Sequence, residues 1–327
     1  MNNSLSFSSS NVTCVIGGAG FIGRAVVEEL VARGRQVVVI GRNNLSVALP
    51  VGVRYIENSS EEGPDIVRAV LETCTEVIDL AYATTPGTSF VDPVNDILAN
   101  VPETVRLFEL VAAMPHIRKF VWISSGGTVY GRTMQDIIPE THPENPISPY
   151  GITKLALEKY AHMYFETRKL PIVCVRPANA YGEGQRAYGG QGFIATTIAS
   201  ILDQRELTLF GENGTIRDYL HVSDMAAGIV AALFAGEPGQ VYNLGSETGT
   251  TNRQIIDMLA PLAKAAGRQI RLNVQPARPF DVPTNVLDCR KLRTATGWVP
   301  RIPLADGLAR TWAWFAAHSV VSKQPTV

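Results

Sequence analysis

The chain has 327 residues, with 29 lysines and arginines against 30 aspartates and glutamates and a formal net charge of −1 at pH 7. This length can bury the core of one large α/β domain or two modest ones, and the balanced charge carries no signature of nucleic-acid binding. The four cysteines are far apart, mostly in apolar runs, and the five histidines form no metal-binding spacing, so we expect reduced thiols, a cytoplasmic protein and no metal site.

The two ends of the chain differ from the rest. Residues 1–10 are rich in Ser and Asn and lack the basic start and apolar run of a signal peptide, so a disordered tail is expected there. A mobile tail is expected over 319–327. No stretch approaches the ~18 apolar residues of a membrane span.

The first predicted elements form a βαβ unit. A short apolar strand over 11–16 leads into a turn with Gly17, Gly20 and Gly23, and a helix and a strand over 37–40 follow. The first two glycines would let the backbone approach a pyrophosphate, and the third would let the helix pack closely on the strand. Because the helix N-terminus would then face the phosphates, the unit predicts dinucleotide binding.

The end of the second strand bears on the choice of cofactor. Gly41 stands where an acidic residue would hydrogen-bond the adenosine ribose of NAD. Arg42 follows, and a guanidinium can neutralise a 2′-phosphate. The cofactor is therefore expected to be NAD or NADP, with Arg42 favouring NADP; the alternative is a solvated arginine in a loop.

Strands and helices then alternate as far as the middle of the chain. We predict a strand at 53–56, a helix at 65–71, a strand at 77–80, a loop at 81–85 near the nicotinamide ribose, a long helix through 97–111 and a strand at 119–123. This alternation predicts an α/β fold, a Rossmann-type doubly wound parallel sheet. Its ligands would bind beyond the carboxyl ends of the strands, where the Gly-rich turn, Thr84, Ser124 and Ser125 fall.

The domain organisation follows from the same rhythm. A dinucleotide-binding domain is expected over 11–177, with part of 216–245 also able to belong to it. After about residue 177 the elements become shorter and richer in Gly and Pro. We therefore expect a smaller α/β substrate-binding domain, mainly over 178–318.

Tyr150 and Lys154 are i and i+4 on the helix that follows the fifth strand, so they share one helical face. An adjacent ammonium favours the ionised phenol, and such a pair can move a proton at neutral pH. Hydroxyls at the preceding strand end could help hold a carbonyl or alcohol oxygen. Alone, this spacing is weak evidence, because it occurs by chance in many helices.

Several motifs together resemble the extended short-chain dehydrogenases/reductases, and within them the NAD-dependent sugar-nucleotide epimerases and dehydratases. They are Gly-x-x-Gly-x-x-Gly from Gly17, Ser-Ser-x-x-Thr-Val-Tyr-Gly from Ser124, Tyr-Gly-x-x-Lys from Tyr150, Arg-Pro-x-Asn-x-Tyr-Gly at 176–182, Arg-Asp-Tyr-x-His-Val-x-Asp at 217–224 and Arg-x-x-Asp at 278–281. They follow the family order and cover most of the chain.

The resemblance implies roles for individual residues. Tyr150 would be the acid/base, and Lys154 would lower its pKa and hold the nicotinamide ribose. The implied substrate-binding residues are Asn179, Arg217 and Arg278 at the diphosphate, Asp281 at the ribose and Phe210 beside the nucleobase. The expected cofactor-binding residues are Gly17, Gly20, Phe21, Ile22, Gly23, Arg42, Leu80, Ala81, Tyr82, Thr84, Asn100, Ser124, Tyr150, Lys154 and Pro177.

Plainer readings of the C-terminal residues stay open. Isolated arginines such as Arg217 and Arg278 suit a diphosphate. Taken separately, each fits a surface position or a structural ion pair better. Asp218 and Asp224 are alternatively helix caps. Phe210 is alternatively part of the core.

One position departs from the family pattern. In the family, a Ser or Thr hydroxyl acts with the tyrosine, and the corresponding position in this chain is Gly126. We therefore expect Ser125 to supply the hydroxyl, with Thr128 as the second candidate. Sugar dehydratases of the family carry Asp-Glu after that hydroxyl, and this chain has Gly127 and Thr128. Dehydration is therefore not expected.

The resemblance thus implies an NAD(P)-dependent epimerase of a nucleotide-diphosphate sugar, acting at C4 of a UDP-sugar by transient oxidation to a keto-sugar and re-reduction. One alternative is an NADP-dependent reductase of a nucleotide-linked keto-sugar, which Arg42 favours. Another is a non-catalytic dinucleotide sensor, which Gly126 favours. The expected partners are the nucleotide sugar and a second copy of the chain, joined through the helices at 95–113 and after Tyr150, with no nucleic acid or membrane.

Overall fold

The structure is a computed structural model that describes residues 12–42, 49–58, 63–189, 191–278 and 281–318. The predicted tails at 1–10 and 319–327 lie outside these ranges, as do residues 279 and 280 of the last motif.

The strands are β1 (Val12–Ile16), β2 (Gln36–Gly41), β3 (Arg54–Glu57), β4 (Glu76–Asp79), β5 (Lys119–Ile123), β6 (Ile172–Pro177), β7 (Asn179–Tyr181), β8 (Glu206–Phe210), β9 (Ile216–His221), β10 (Val241–Leu244), β11 (Gly249–Thr251), β12 (Arg271–Gln275) and β13 (Thr284–Asn285). The helices are α1 (Phe21–Ala32), α2 (Gly63–Leu71), α3 (Pro86–Val91), α4 (Pro93–Ala112), α5 (Pro149–Arg168), α6 (Phe193–Leu202), α7 (Val222–Ala235), α8 (Asn252–Ala265), α9 (Arg290–Thr296) and α10 (Leu304–His318).

Seven parallel strands form the main sheet, in the order β10-β6-β5-β4-β1-β2-β3. Helices α1 and α7 pack on one face, and α2, α4 and α5 pack on the other. Because both faces are covered, the central strands are buried and largely apolar, as in the run Phe120–Ile123. The predicted Rossmann-type doubly wound sheet is confirmed, with the predicted strand bounds displaced by about one residue.

The chain leaves this sheet after β6 and returns to it once. Strands β7, β9, β11 and β13 form a second sheet, and β8 pairs with β12. Helices α6, α8 and α10 enclose a separate apolar cluster around them. Strand β10 then pairs with β6, and α7 packs against α1, so residues 222–244 contribute to the first sheet and its covering layer. The division of the chain into domains at residue 177 stays a prediction.

Two further features concern the cysteines and the possibility of a membrane span. Cys14, Cys74, Cys174 and Cys289 are buried free thiols. None of the helices in the described part of the chain combines the length and apolarity needed to cross a bilayer.

Candidate active site

The turn between β1 and α1 is built from three glycines. Gly17 has a φ of +79°, a left-handed conformation that glycine adopts at little cost. A Cβ on Gly23 would lie 2.3 Å from the Gly17 carbonyl oxygen, so a glycine is needed for α1 to pack this closely. Helix α1 begins at Gly20 without a side-chain cap and with no acidic residue in its first turn. Its amide groups can therefore face an anion such as a pyrophosphate.

The loop after β4 lies directly beside this turn. A Cβ on Gly17 would be 3.0 Å from the Ala81 amide nitrogen. The Leu80 amide donates to the Ile16 carbonyl at 2.9 Å, and the Ala81 amide donates to Asp79 Oδ1 at 3.0 Å. The structure thus brings the Gly-rich turn and residues 80–84 together at the carboxyl edge of the sheet, with Phe21 and Ile22 half-buried at the start of α1.

Tyr55 packs beside the end of β2, where the adenosine of a dinucleotide is expected. A Cβ on Gly41 would lie 2.6 Å from the Tyr55 hydroxyl oxygen, so an acidic side chain at position 41 would require Tyr55 to move. Arg42 follows Gly41 and is exposed. The glycine at the end of β2 therefore has a packing cause, and the cation beside it faces solvent.

Tyr150 is placed by the start of α5. Ser148 caps this helix by accepting from the Gly151 amide at 3.1 Å, and the Tyr150 amide donates to Ser89 Oγ at 3.2 Å. One turn later, Lys154 Nζ donates to the Ile123 carbonyl at the end of β5, at 2.7 Å. The helix start and the strand end are therefore joined through Lys154.

Tyr82 is the aromatic neighbour of both predicted catalytic residues. Its ring lies edge-on to the Tyr150 ring at 4.9 Å between centroids. Lys154 Nζ lies 3.8 Å from the centroid of the Tyr82 ring and 5.7 Å from that of Tyr150. A cation over a ring face is attracted by its quadrupole, so Tyr82 helps to hold the ammonium in place.

Burial controls the ionisation of these groups. It raises the pKa of Tyr150 well above its ordinary value, and the negative charge of Asp96 adds to the rise. Burial lowers the pKa of Lys154 to about 7, against the opposing charges of Asp79, Glu158 and Asp96. It also raises the pKa of Asp79 to about 6.

The expectation that Lys154 lowers the Tyr150 pKa stays a prediction, because in the protein alone burial raises that pKa overall. The desolvation of a phenolate costs more than the neighbouring ammonium returns, and Lys154 is itself only partly charged near neutral pH. Positive charge brought into the site would favour the ionised phenol.

Glycine at position 126 has a steric explanation. A Cβ there would lie 2.4 Å from Leu287 Cδ1 and 2.9 Å from the Arg176 carbonyl oxygen. The Gly126 amide donates to the Pro177 carbonyl at 2.9 Å, and its carbonyl accepts from Asn285 Nδ2 at 3.1 Å. The glycine lets the loop after β5 dock against β6 and the segment at 285–287.

The neighbouring hydroxyls have three different environments. Ser124 is buried, and its hydroxyl donates to Glu158; its role at the cofactor stays a prediction. The Thr128 hydroxyl is shielded from solvent and has no hydrogen-bond partner among the described residues. Ser125 is half-buried at the strand end. Of the three, Ser125 remains the preferred candidate for the hydroxyl that acts with Tyr150.

A carboxylate that the sequence did not single out lies beneath the site. Asp96 of α4 is fully buried and accepts hydrogen bonds from Thr84 and, at 2.6 Å, from Thr153. Asn100, also on α4, accepts from the Ala83 amide at 2.7 Å and donates to Thr84 Oγ1 at 3.1 Å. The i, i+4 spacing on a helix could have placed Asp96 beside Asn100. Nothing in the sequence indicated that Asp96 is buried, because a charged residue in an amphipathic helix normally faces solvent.

The predicted substrate residues lie together at the other end of the site. Arg278 Nε and Nη2 donate to the two Asp281 carboxylate oxygens at 2.9 and 3.2 Å. The Arg278 guanidinium lies 4.2 Å from the Phe210 ring centroid. Burial lowers the pKa of Arg217, the Arg278 charge acts in the same direction, and Asp281 opposes it. Asn179 Nδ2 donates to the Asp218 carbonyl at 3.2 Å, which places it on the adjacent strand.

Asp218 and Asp224, both in the motif at 217–224, have structural roles that differ from helix capping. Asp218 accepts from the Ser246 amide at 2.7 Å and from the Leu287 amide at 3.3 Å. Asp224 accepts from the amides of residues 301 and 302 at 2.8 and 2.7 Å. Both carboxylates join distant segments. The cap of α7 is His221, which accepts from the Ser223 amide.

A buried ion pair supports the loop that carries Ser125. Arg176, 1% exposed, donates to both Glu158 carboxylate oxygens, to Glu144 and to the Tyr130 hydroxyl. Glu158 also accepts from Ser124. The Arg-Pro-x-Asn motif therefore begins with a structural cation and continues, at Asn179, towards the substrate cluster.

Comparison with known proteins agrees with this arrangement. Residues 13–245 match the sequence model of the family described as NAD dependent epimerase/dehydratase. A UDP-glucose 4-epimerase of Mycolicibacterium smegmatis is 36% identical over 316 residues, covering 94% of this chain and 99% of that protein.

Two solved structures are similar in sequence and shape. A UDP-glucose 4-epimerase of Thermotoga maritima, crystallised with UDP-glucose, has a TM-score of 0.86 and 30% identity, covering 94% of this chain and 99% of its own. A UDP-glucose 4-epimerase of Thermus thermophilus, in complex with NAD, has a TM-score of 0.83 and 32% identity, covering 93% of this chain and 99% of its own. The likeness spans the sheet, the site and the substrate cluster.

Proposed function

Since the chain belongs to the NAD dependent epimerase/dehydratase family, we propose that it is an epimerase that inverts C4 of a UDP-sugar. One observation carries this proposal: the Tyr150–Lys154 pair lies at the carboxyl edge of the sheet, with Lys154 bonded to the end of β5. The Gly-rich turn lies at the same edge, two strands away. An acid/base and a dinucleotide cradle are thus brought to one cleft.

The glycine turn fits a dinucleotide, because its close packing and the uncapped start of α1 leave room and amide donors for a pyrophosphate. Residues 80–84, Asn100 and Lys154 would hold the nicotinamide half. When bound, NAD supplies a hydride acceptor and donor, and its oxidised ring carries positive charge.

Tyr150 moves the proton. Its phenolate oxygen accepts the proton of the sugar hydroxyl as that carbon is oxidised, and it returns the proton when the keto-sugar is reduced on its other face. Ser125 donates to the reacting oxygen. Lys154 holds the tyrosine turn against β5 and contributes positive charge beside the phenol. No carboxylate stands at positions 127 and 128, so elimination of water lacks its acid/base groups.

Substrate binding is assigned to the cluster around Arg278. Arg217 and Arg278 would pair with the diphosphate, Asp281 would accept from the ribose, and Phe210 would lie along the base. This binding energy is remote from the reacting carbon and can be used to orient it.

The test is to incubate the protein with UDP-glucose, UDP-galactose and related UDP-sugars and catalytic NAD, and to follow the ring protons by NMR. A new epimer without net reduction of cofactor supports the proposal. Turnover only with stoichiometric NADPH and a keto-sugar would replace it by a reductase, which the exposed Arg42 favours. Tight cofactor binding without conversion would replace it by a sensor.

The preference between NAD and NADP is proposed to depend on Arg42. We expect Arg42→Ala to weaken NADPH binding about tenfold, since one charge-assisted contact to the 2′-phosphate is lost, and to leave NADH binding within twofold. Fluorescence titration of both cofactors measures the ratio. The matched control is Arg33→Ala, directly after α1 and paired with Glu29. Equal losses for both cofactors in Arg42→Ala would contradict the role of Arg42.

A homodimer through α4 and α5 is also proposed. These helices pack together and expose apolar side chains to solvent, namely Val94, Ile97, Leu98, Ile152, Tyr160 and Met163. Exposed apolar side chains gathered on two packed helices support an interaction site there. Light scattering is expected to give the dimer mass for the wild type and the monomer mass for Leu98→Glu, whereas an unchanged mass for that variant would place the interface elsewhere.

The four buried free thiols support a reducing compartment, and we propose the cytoplasm.

A further inference from the structure

Asp96 is a fully buried carboxylate on α4. Among the described residues it takes part in no ion pair, and its oxygens instead accept from two threonine hydroxyls, Thr84 and Thr153. Burying a carboxylate costs free energy unless its acceptor atoms are satisfied. We therefore expect the Asp96 carboxylate to hold together the elements whose side chains it binds.

The hydrogen bonds around Asp96 have a defined direction. The Ala83 amide can only donate, so the Asn100 oxygen faces it, at 2.7 Å. The Asn100 amide group then donates to the Thr84 oxygen at 3.1 Å, which leaves the Thr84 hydrogen for Asp96. Thr153 donates to the other carboxylate oxygen at 2.6 Å. Asp96 is the common acceptor of this network, which joins the loop after β4 to α5.

The network ends beside the acid/base. Thr153 is three residues after Tyr150 on α5, so the two side chains are neighbours on one helical face. The Tyr82 ring lies 4.9 Å from the Tyr150 ring and belongs to the same loop as Thr84. The carboxylate is thus one side chain away from Tyr150, and both Asp96 and Thr153 are buried.

We propose that Asp96 is a positioning residue for the epimerisation, which fixes α5 against the loop after β4 and holds the Tyr150 phenol in its neutral form. This inference rests on the proposed function. The fixed negative charge of Asp96 opposes ionisation of the phenol.

Other charged and titratable groups also face this region. They are Lys154 and Glu158 on α5, Asp79 at the end of β4, Tyr82 in the loop after it and Cys174 on β6. The sign of the Asp96 contribution is nevertheless clear: a nearby negative charge raises the pKa of a phenol. Removing that charge alone must lower the pKa.

Asp96→Asn removes the charge and keeps the shape and a hydrogen-bond acceptor. Tyrosine labelled with 13C at Cζ reports ionisation of the phenol in the protein without substrate, and Tyr150→Phe assigns the resonance. We expect the Tyr150 midpoint in Asp96→Asn to lie about one pH unit or more below that of the wild type. Coincident titration curves up to alkaline unfolding would overturn the proposal.

The matched control is Asp92→Asn, which removes the same charge one turn earlier on α4. Asp92 caps that helix by accepting from the Asn95 amide at 2.9 Å, and asparagine caps equally well. Its Tyr150 titration is expected to coincide with the wild type. Thr153→Val removes a donor but leaves the charge; a lowered midpoint in this variant would also overturn the proposal, which keeps it testable if Asp96→Asn does not fold.

The second readout is the pH profile of kcat/KM. The acid limb is expected to move by about one unit to lower pH in Asp96→Asn and to stay in place in Asp92→Asn. A lower rate with an unmoved limb would make Asp96 merely structural. The NMR titration needs no turnover, so failure of the epimerase proposal and failure of the Asp96 proposal are distinguishable.

Discussion

Replacing Tyr150 by phenylalanine is expected to lower kcat by about 10²- to 10⁴-fold, the usual contribution of a positioned acid/base. The phenol lies edge-on to Tyr82 and one turn before Lys154, and loss of its hydroxyl leaves the ring packing in place. KM for the UDP-sugar and the affinity for NAD should therefore change by less than about threefold.

The measurement is epimerisation followed by NMR or a coupled assay, with cofactor binding determined on the same preparations. Tyr164→Phe is the matched control, because Tyr164 lies on the same helix but packs against Phe108, 6.3 Å away, on the face turned to the core. Retention of most of the activity in Tyr150→Phe would assign proton transfer to another group, and Ser125 would then be the next residue to change.

Replacing Glu158 by alanine is expected to lower the free energy of unfolding by about 3 to 5 kcal/mol, because the change leaves a buried guanidinium without its main counter-charge. Arg176 is 1% exposed and donates to both oxygens of the Glu158 carboxylate. Glu144 supplies only a second, partly exposed partner for this arginine.

Urea unfolding measures this loss. Asp257→Ala is the control, since it breaks the exposed Arg253–Asp257 pair and should cost less than about 1 kcal/mol. The double variant Glu158→Leu with Arg176→Met removes both charges and should recover much of the stability. Equal losses in Glu158→Ala and Asp257→Ala would mean that Arg176 is hydrated in solution.

The sheet and the Gly-rich turn were accessible from the sequence, because each depends on local patterns. Alternation of apolar strands and helices, with Gly17 and Gly23 at the first turn, is sufficient for the fold. The Phe210–Arg217–Arg278–Asp281 cluster was accessible only through family resemblance, since its members are far apart in the chain and each looks like a surface residue by itself.

The rest depends on what surrounds a residue in space. The clash between a Cβ at Gly126 and Leu287 involves segments that are far apart in the chain, so the glycine looked like a loss of chemistry. The burial of Asp96, and the desolvation that raises the Tyr150 pKa, are properties of the assembled helices α4 and α5. The i, i+4 spacing of Tyr150 and Lys154 predicts neither the burial of Asp96 nor the raised pKa of Tyr150.

Because the chain returns late to its first sheet, parts of this sheet and of the site can form only after most of the chain has been synthesised. Strand β10 completes the sheet beside β6, and the segment at 285–287 supports the Gly126 loop through Asn285 and Leu287. The nascent chain can form the βαβ unit early, but its catalytic loop has no backing until residue 287 has left the exit tunnel. A chain that ends before that point should form the Gly-rich turn but lack the contacts that Asn285 and Leu287 make with Gly126.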